Sequence, residues 1–230
     1  MAPFLRQVRS FVRREGRMTE GQKIALEKLW PVYGIDFQTN PVNLEKIFNR
    51  HAPTVLDIGC GSGESTLHFA KSHPENNYLA IEVHRPGIGG LLRHINEYRL
   101  SNIRVINHDV MDILAQMIPA RCIDQALIFF PDPWPKKRHH KRRLINREFL
   151  GLLGNSLKDN SRISIATDWE DYGEHINLVM QSTPSYINLG GANGYTVRPH
   201  WRPCTRFERR GRALQYKVRD FLFGFRSPQA

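Results

Sequence analysis

Along most of the chain, short apolar runs alternate with longer mixed segments, and that alternation predicts the fold. The runs Thr54–Ile58, Tyr78–Val83, Ile103–His108, Ile123–Phe130 and Arg162–Ala166 are rich in β-branched and aromatic residues and read as strands. Between them, Gly63–Ser72, Gly87–Arg99, Val110–Ile118 and Arg142–Leu157 have the length of helices. A further helix is expected over Thr19–Trp30, ended by Pro31. Strands alternating with helices imply a parallel sheet covered on both faces. The expected class is therefore α/β, with a mostly parallel, twisted sheet between two helical layers. In the tail, Tyr186–Leu189 and Leu214–Phe223 flank a Gly- and Arg-rich stretch and are expected to pair antiparallel at the sheet edge.

Each of the five strands ends in, or is directly followed by, a carboxylate: Asp57, Glu82, Asp109, Asp132 and Asp168. Ligands of open parallel sheets bind beyond the carboxyl ends of the strands, where the strand order reverses. Any one of these acids has an ordinary explanation as a helix cap or turn residue. Five together, with Glu82 preceding no obvious helix start, predict one functional rim.

Composition narrows the class. The chain has 230 residues, 40% hydrophobic and 24% charged, which is ordinary for a soluble globular protein and enough for a real core. It reads as a single domain over 1–230. No apolar run approaches the roughly eighteen residues needed to span a bilayer, so no membrane role is expected. Cys60, Cys122 and Cys204 show neither close pairing nor metal-ligand spacing. That argues against a disulfide framework or a metal site and for a reduced, cytoplasmic protein.

The net charge of +11 is unevenly spread. Three windows, Met1–Lys23, Lys136–Arg147 and Arg198–Arg219, hold 21 of the 33 Lys and Arg but only three of the 22 acidic residues. An acidic body with concentrated basic patches suits a polyanion, and nucleic acid is the expected partner. The first window is read as a basic arm at about 1–23. Its Arg-rich start resembles an organelle transit peptide, but Glu15 and Glu20 follow at once.

The first strand runs into Asp57-Ile58-Gly59-Cys60-Gly61-Ser62-Gly63, whose glycines allow a tight turn and close backbone approach to a ligand. The third glycine comes one residue too early for the dinucleotide fingerprint; the GxGxG spacing resembles the S-adenosylmethionine loop of class I methyltransferases. Glu82, about twenty residues on, suits two ribose hydroxyls, and Asp109 can accept from an adenine amino group. No GxxxxGK[ST] motif is present, which disfavours a nucleoside triphosphatase. The fourth strand ends in Phe129-Phe130-Pro131-Asp132-Pro133-Trp134-Pro135, where prolines are expected to keep the chain extended and stiff around Asp132. That carboxylate can accept from a guanine edge, and Trp134 can stack on a base, although a rigid turn with a buried Trp is the plain alternative. The KKRHHKRR run that follows reads as a phosphate-binding segment. Glu208, amid arginines, is either a salt-bridge organiser or a second guanine-edge acceptor.

At this point the sequence resembles the bacterial tRNA (guanine-N7-)-methyltransferase family, over nearly its whole length. The resemblance is carried by RREGRMTEGQ, DIGCGSGE, IEVHRPG, NHD, FFPDPWPKKRHHKRR, ATDW and TRFERRG. It implies a Rossmann-like class I methyltransferase fold, S-adenosyl-L-methionine as cofactor and guanine 46 of the tRNA variable loop as target. It also implies cofactor contacts from Asp57, Glu82, Asp109 and Asp132 around Gly59 and Gly61, with Asp132 as the catalytic residue. Lys136, Asp168 and Thr205, Arg206, Phe207 and Glu208 match the family's substrate-binding positions. Asp57 stands where the family often has Glu, on a shorter arm, and Cys60 stands where it often has a bulky residue. A monomer or a homodimer is compatible with all of this.

Two rival functions remain open at this level. PDPW partly resembles the D-P-P-[YFW] motif of amino-group methyltransferases acting on adenine, but lacks its second consecutive proline. A non-catalytic RNA-binding module on a degenerate fold is disfavoured by four intact carboxylate positions.

Overall fold

The computed structural model describes residues 9–11 and 16–228. The rest of the expected basic arm, residues 1–8 and 12–15, lies outside the described residues. Helix α1 (Glu20–Tyr33) leads into the two-residue strand β1 (Gly34–Ile35) and the short helix α2 (Leu44–Phe48). Three strand–helix units follow: β2 (Thr54–Ile58) with α3 (Glu64–Ser72), β3 (Asn77–Ile81) with α4 (Arg85–Glu97), and β4 (Ile103–Ile106) with α5 (Val110–Gln116). Strand β5 (Ile123–Phe129) is followed by a 3-10 helix, Lys137–Arg142, and by α6 (Arg147–Ser156), which passes directly into β6 (Leu157–Thr167). The chain then forms α7 (Glu170–Gln181), β7 (Tyr186–Asn188), α8 (Arg206–Ala213) and β8 (Arg219–Phe225).

Among the described residues, eight strands form one sheet in the order β1-β4-β3-β2-β5-β6-β8-β7. Neighbours pair parallel except at β8, which lies antiparallel between β6 and β7. The antiparallel edge expected from the tail is present. The chain winds outward from β2 through β3 to β4, then restarts at β5 on the other side of β2. The order therefore reverses between β2 and β5, and the crevice beyond their carboxyl ends is where such sheets take ligands.

Period-2 alternation sends side chains to two separate cores. Leu56, Ile58, Leu79, Ile81, Ala126 and Ile128 face α5, α6 and α7, which contribute Ile113, Phe149, Leu153 and Ile176. Val55, Tyr78, Ala80 and Leu127 face the other layer, which contributes Ala25, Leu67, Phe69, Ile88, Leu91, Leu92 and Ile95. Helix α4 shows why these segments coil: Ile88, Leu91, Leu92 and Ile95 follow the i, i+3, i+4, i+7 spacing and are fully buried. Its start is set by Pro86 in the first turn and by the His84 ring, which accepts from the Gly87 amide at 3.3 Å.

Four expectations are corrected. Helix α1 continues past Pro31 to Tyr33, because a proline in the last turn removes one hydrogen bond while Gly34 N–H still closes on the Trp30 carbonyl. The helix expected over Arg142–Leu157 begins at Arg147, where Asn146 caps it by accepting from the Phe149 amide at 2.9 Å; Leu157 belongs to the next strand. The last strand is Arg219–Phe225, set by pairing of Phe221 and Phe223 with Ile165 and Ile163, so Leu214–Tyr216 lie outside it. Glu82 stands three residues before a helix start after all, and α7, α8, α2 and β1 are additional elements.

Candidate active site

Beyond β2 the chain must turn sharply into α3, and Gly59 and Gly63 do so at φ +75 and +80. A side chain on Gly63 would collide with Leu91, 2.3 Å away, whereas a Cβ on Gly59 would meet nothing within 4 Å. Gly59 thus leaves an open cradle on the ligand side, the cavity a cofactor needs. The loop is held by the Ile81 carbonyl, which accepts from Gly59 N–H at 2.8 Å, and by Glu82, whose carboxylate accepts from Gly61 N–H at 2.8 Å. Glu82 also accepts from the Val83 and His84 amides at 2.7 and 2.8 Å. A carboxylate has about four acceptor directions. Two ribose hydroxyls therefore need Glu82 to release an amide, and this acid is both loop anchor and ribose candidate.

Asp57 is 2 % exposed, and its carboxylate accepts from the Thr66 hydroxyl at 2.6 Å. Burial pushes its carboxyl up to about 6; the Thr66 bond opposes that and the neighbouring Glu82 adds to it. Asp109 caps α5 by accepting from the Met111 amide at 3.1 Å, so its ordinary structural reading is realised, and burial raises its carboxyl above the usual range. Beside it, Phe37 stacks on His108 at 3.9 Å, and His108 reaches Asp112 at 3.0 Å. Phe37 lies in a connection that carries no periodic signal.

The Asp132 loop turns rather than running straight. Phe130 and Trp134 adopt left-handed backbone, φ +55 and +47, and each precedes a proline. Such conformations cost non-glycine residues about 1–3 kcal/mol and cluster at functional sites. Phe130 N–H donates to the Ala166 carbonyl at 2.8 Å, tying one end to the sheet. Trp134 is half-buried; its indole N–H donates to the Ser10 carbonyl at 3.0 Å and the Arg142 guanidinium lies 5.0 Å from its ring. Asp132 and Lys136 are exposed.

The third wall is α8. Thr205 caps it, accepting from the Glu208 amide at 3.4 Å, and Glu64 at the start of α3 accepts from Arg206 N–H at 2.8 Å and from Arg209. This clamps the start of α8 across the glycine loop. Phe207, 45 % exposed, stands 3.8 Å from where a Cβ on Gly61 would be. Asp57, Gly59, Cys60, Phe130, Thr205 and Phe207 help line one cleft at the strand-order reversal, with about 360 Å³ of empty space open to solvent. Asp168 lies under α8, its carboxylate 2.5 Å from where a Cβ on Gly211 would sit, and burial raises its carboxyl.

Glu208 is turned away from that cleft. Its side chain is fully buried and accepts from Arg198 at 2.9 Å, Arg202 at 2.6 Å and Arg212. Arg202 is itself buried and pairs with Asp220 at 2.6 Å. Of its two expected roles, the organiser is the one the geometry shows; no guanine edge can reach this carboxylate. Arg143 likewise leaves the phosphate-binding run, since its side chain is 2 % exposed. Arg143, Glu64, Arg202 and Asp220 are the residues sequence reasoning missed, and no local pattern distinguishes them from their neighbours.

Comparison with known proteins places this geometry among methyltransferases. A family model, Methyltransf_4, described as "Putative methyltransferase", matches residues 51–221. The chain is 50% identical over 218 residues to a tRNA (guanine-N(7)-)-methyltransferase of Nitrosospira multiformis, covering 95% of this chain and 94% of that one. It is 47% identical to the protein of that name from Pectobacterium atrosepticum, covering 95% and 92%. Among solved structures, a SAM-dependent methyltransferase from Aquifex aeolicus is similar in fold, with TM-score 0.53 and 16% identity over 80% of this chain and 88% of that one. Among the described residues no helix is long and apolar enough to cross a membrane, and no group of three or more His, Cys, Asp or Glu could hold a metal ion.

Proposed function

The chain belongs to the tRNA (guanine-N7-)-methyltransferase family, and from that premise we propose that it methylates N7 of guanine 46 in tRNA, with Asp132 at the reacting base. The observation that carries this reading is the convergence at the strand-order reversal. There the open cradle at Gly59, buried Asp57 and the start of α8 face Phe130, with exposed Asp132 two residues beyond. S-adenosyl-L-methionine, when bound, supplies an electrophilic methyl group on a sulfonium. Gly59 and Gly61 would admit it to the backbone, Glu82 and Asp109 would hold its ribose and adenine, and Asp57 would offer a carboxylate to its charged end.

Guanine N7 carries a free lone pair at neutral pH. That lone pair would take the methyl group directly, with the electron pair of the broken bond remaining on the departing sulfur. No proton leaves N7, so no general base is needed there. What the protein must supply is position and negative charge facing the cationic product. Asp132 supplies that charge; Lys136, Asp168 and the segment Thr205–Phe207 orient the nucleotide, and exposed basic residues hold the tRNA backbone. Location in the cytoplasm, and action as a monomer or homodimer, belong to the same proposal.

The test is product identity. Purified protein is incubated with unmodified tRNA and labelled cofactor, and the nucleosides are resolved by mass spectrometry. N7-methylguanosine is expected, formed at a rate nearly independent of pH between neutrality and mild alkali. N6-methyladenosine, or no product, overturns the reading.

A further inference from the structure

Within the basic run that follows Asp132, one arginine is unlike the others. Lys136, Lys137 and Arg138 are exposed, whereas Arg143 is enclosed. Its Nε donates to the Pro133 carbonyl at 3.1 Å, one residue beyond Asp132. Its Nη2 donates to Asp171 on α7 and lies 3.2 Å from the His140 ring nitrogen Nε2. The guanidinium carbon stands 5.0 Å from the centroid of Tyr172, whose hydroxyl accepts from the Ile145 amide at 3.2 Å. A guanidinium enclosed on these sides has no face left for a phosphate.

The segment it grips does not hold itself. Pro131, Pro133 and Pro135 have no N–H to donate. The left-handed backbone of Phe130 and Trp134 persists only where surroundings over-determine it. The sheet fixes the near end through Phe130 N–H and the Ala166 carbonyl. On the far side of Asp132, the Pro133 carbonyl is held by Arg143.

We infer that Arg143 is a positioning residue: its planar fork ties the Pro133 carbonyl to Asp171 and thereby fixes the Asp132 carboxylate against the reacting base. This rests on Asp132 acting as proposed above. The arrangement demands arginine, because the fork reaches two acceptors at a fixed angle and a lysine ammonium is a single point on a flexible stem.

The test is a double-mutant cycle in the full chain with Arg143→Lys, Asp132→Asn and both together. Single-turnover methyl transfer is measured at saturating tRNA and cofactor, beside tRNA affinity over a salt series. Arg143→Lys should slow methyl transfer by about tenfold or more, since a misplacement of about 1 Å can cost on the order of 10²-fold. Its tRNA affinity and salt slope should match those of the unmodified protein, and the double variant should be no slower than Asp132→Asn alone. An unaltered rate in Arg143→Lys, or slowing that multiplies in the double variant, overturns the brace. So does weaker tRNA binding with a salt slope reduced by about one, the mark of a lost phosphate contact. An unaltered rate in Asp132→Asn sinks the role of Asp132 itself and the brace with it, whereas a slow Asp132→Asn beside a normal Arg143→Lys sinks the brace alone. Asp171→Asn gives a second reading if Arg143→Lys does not fold. Asp171 is more than half exposed, and its change should slow the chemical step in the same direction; a normal rate there counts against the inference.

Discussion

Asp132 and Asp57 belong to one rim, yet their surroundings are opposite. Asp132 is exposed, where a charge can meet a base arriving from solvent. Asp132→Asn keeps the shape and removes the charge, and should slow single-turnover transfer by roughly 10²-fold or more, as for loss of a preorganised electrostatic group. Rapid-quench kinetics at saturating substrates read this directly, with tRNA affinity expected to change little. Asp57 is buried, and its carboxyl sits at about 6 against an ordinary 3.8. Because the folded value is the higher one, folding favours the neutral form; that stabilisation is full below about 4 and is lost as pH rises through about 6. A cationic ligand favours the opposite, ionised form. Cofactor affinity should therefore weaken as pH falls through about 6, and calorimetry in buffers of different ionisation enthalpy should detect a proton released on binding. Asp57→Asn should abolish that dependence; a pH profile identical to that of the unmodified protein would remove Asp57 from the cofactor site.

At the level of elements, α8 is the piece whose place needs explaining. Its own sequence is strongly polar and offers little to bury, so it is docked by charge. Glu64 clamps its start to the glycine loop, and beneath it Glu208 and Asp220 neutralise Arg198, Arg202 and Arg212. Burial alone would raise the Glu208 carboxyl, but its bonds to Arg198 and Arg202 outweigh that and hold it below the usual carboxylate range. The stability it contributes is thus present above that range and lost as pH falls through the lowered value. Glu208→Gln should destabilise the protein at neutral pH by about 3–5 kcal/mol, because it leaves buried Arg202 with Asp220 as its remaining counter-charge and breaks the buried ends of two further ion pairs. Cofactor affinity should fall with it as Thr205–Phe207 loosen from the loop. Urea unfolding at pH 7 measures the first effect, and stability equal to that of the unmodified protein would end the organiser role. The Thr-x-x-Glu spacing signals a helix start. It does not tell that Glu208 leaves the capping box for three arginines.

The whole molecule presents an uneven charge to a polyanion. The clustered cations are not all available: Arg143 and Arg202 are buried in ion pairs, while Lys136, Lys137 and Arg138 are exposed beside Asp132. The remaining exposed cations still suffice for several phosphate contacts. The slope of log K for tRNA against log salt should have a magnitude of roughly 4 or more. Reversing Lys136, Lys137 and Arg138 to Glu together should flatten it. A nearly flat slope in the unmodified protein would show that the basic windows do not hold tRNA.

Features that depend on neighbours along the chain were legible in the residues alone. The strand runs, the glycine turn after Asp57 and the acids at the strand ends follow from hydrophobic period and turn chemistry, which act over a few residues. The motifs around Asp132 and Thr205 were distinctive enough to point to the family. Which of several like-charged residues is removed from water depends on contacts made only in the assembled fold. Nothing local separates Arg143 from Arg142, yet Asp171 and Tyr172, nearly thirty residues on, enclose only Arg143, while Arg142 lies over Trp134. Glu64 closes the cleft by reaching Arg206, 142 residues away. Burial and ion pairing are set by what distant segments bring alongside, so charges that look alike in sequence become buried ion pairs or exposed surface only once the sheet has assembled.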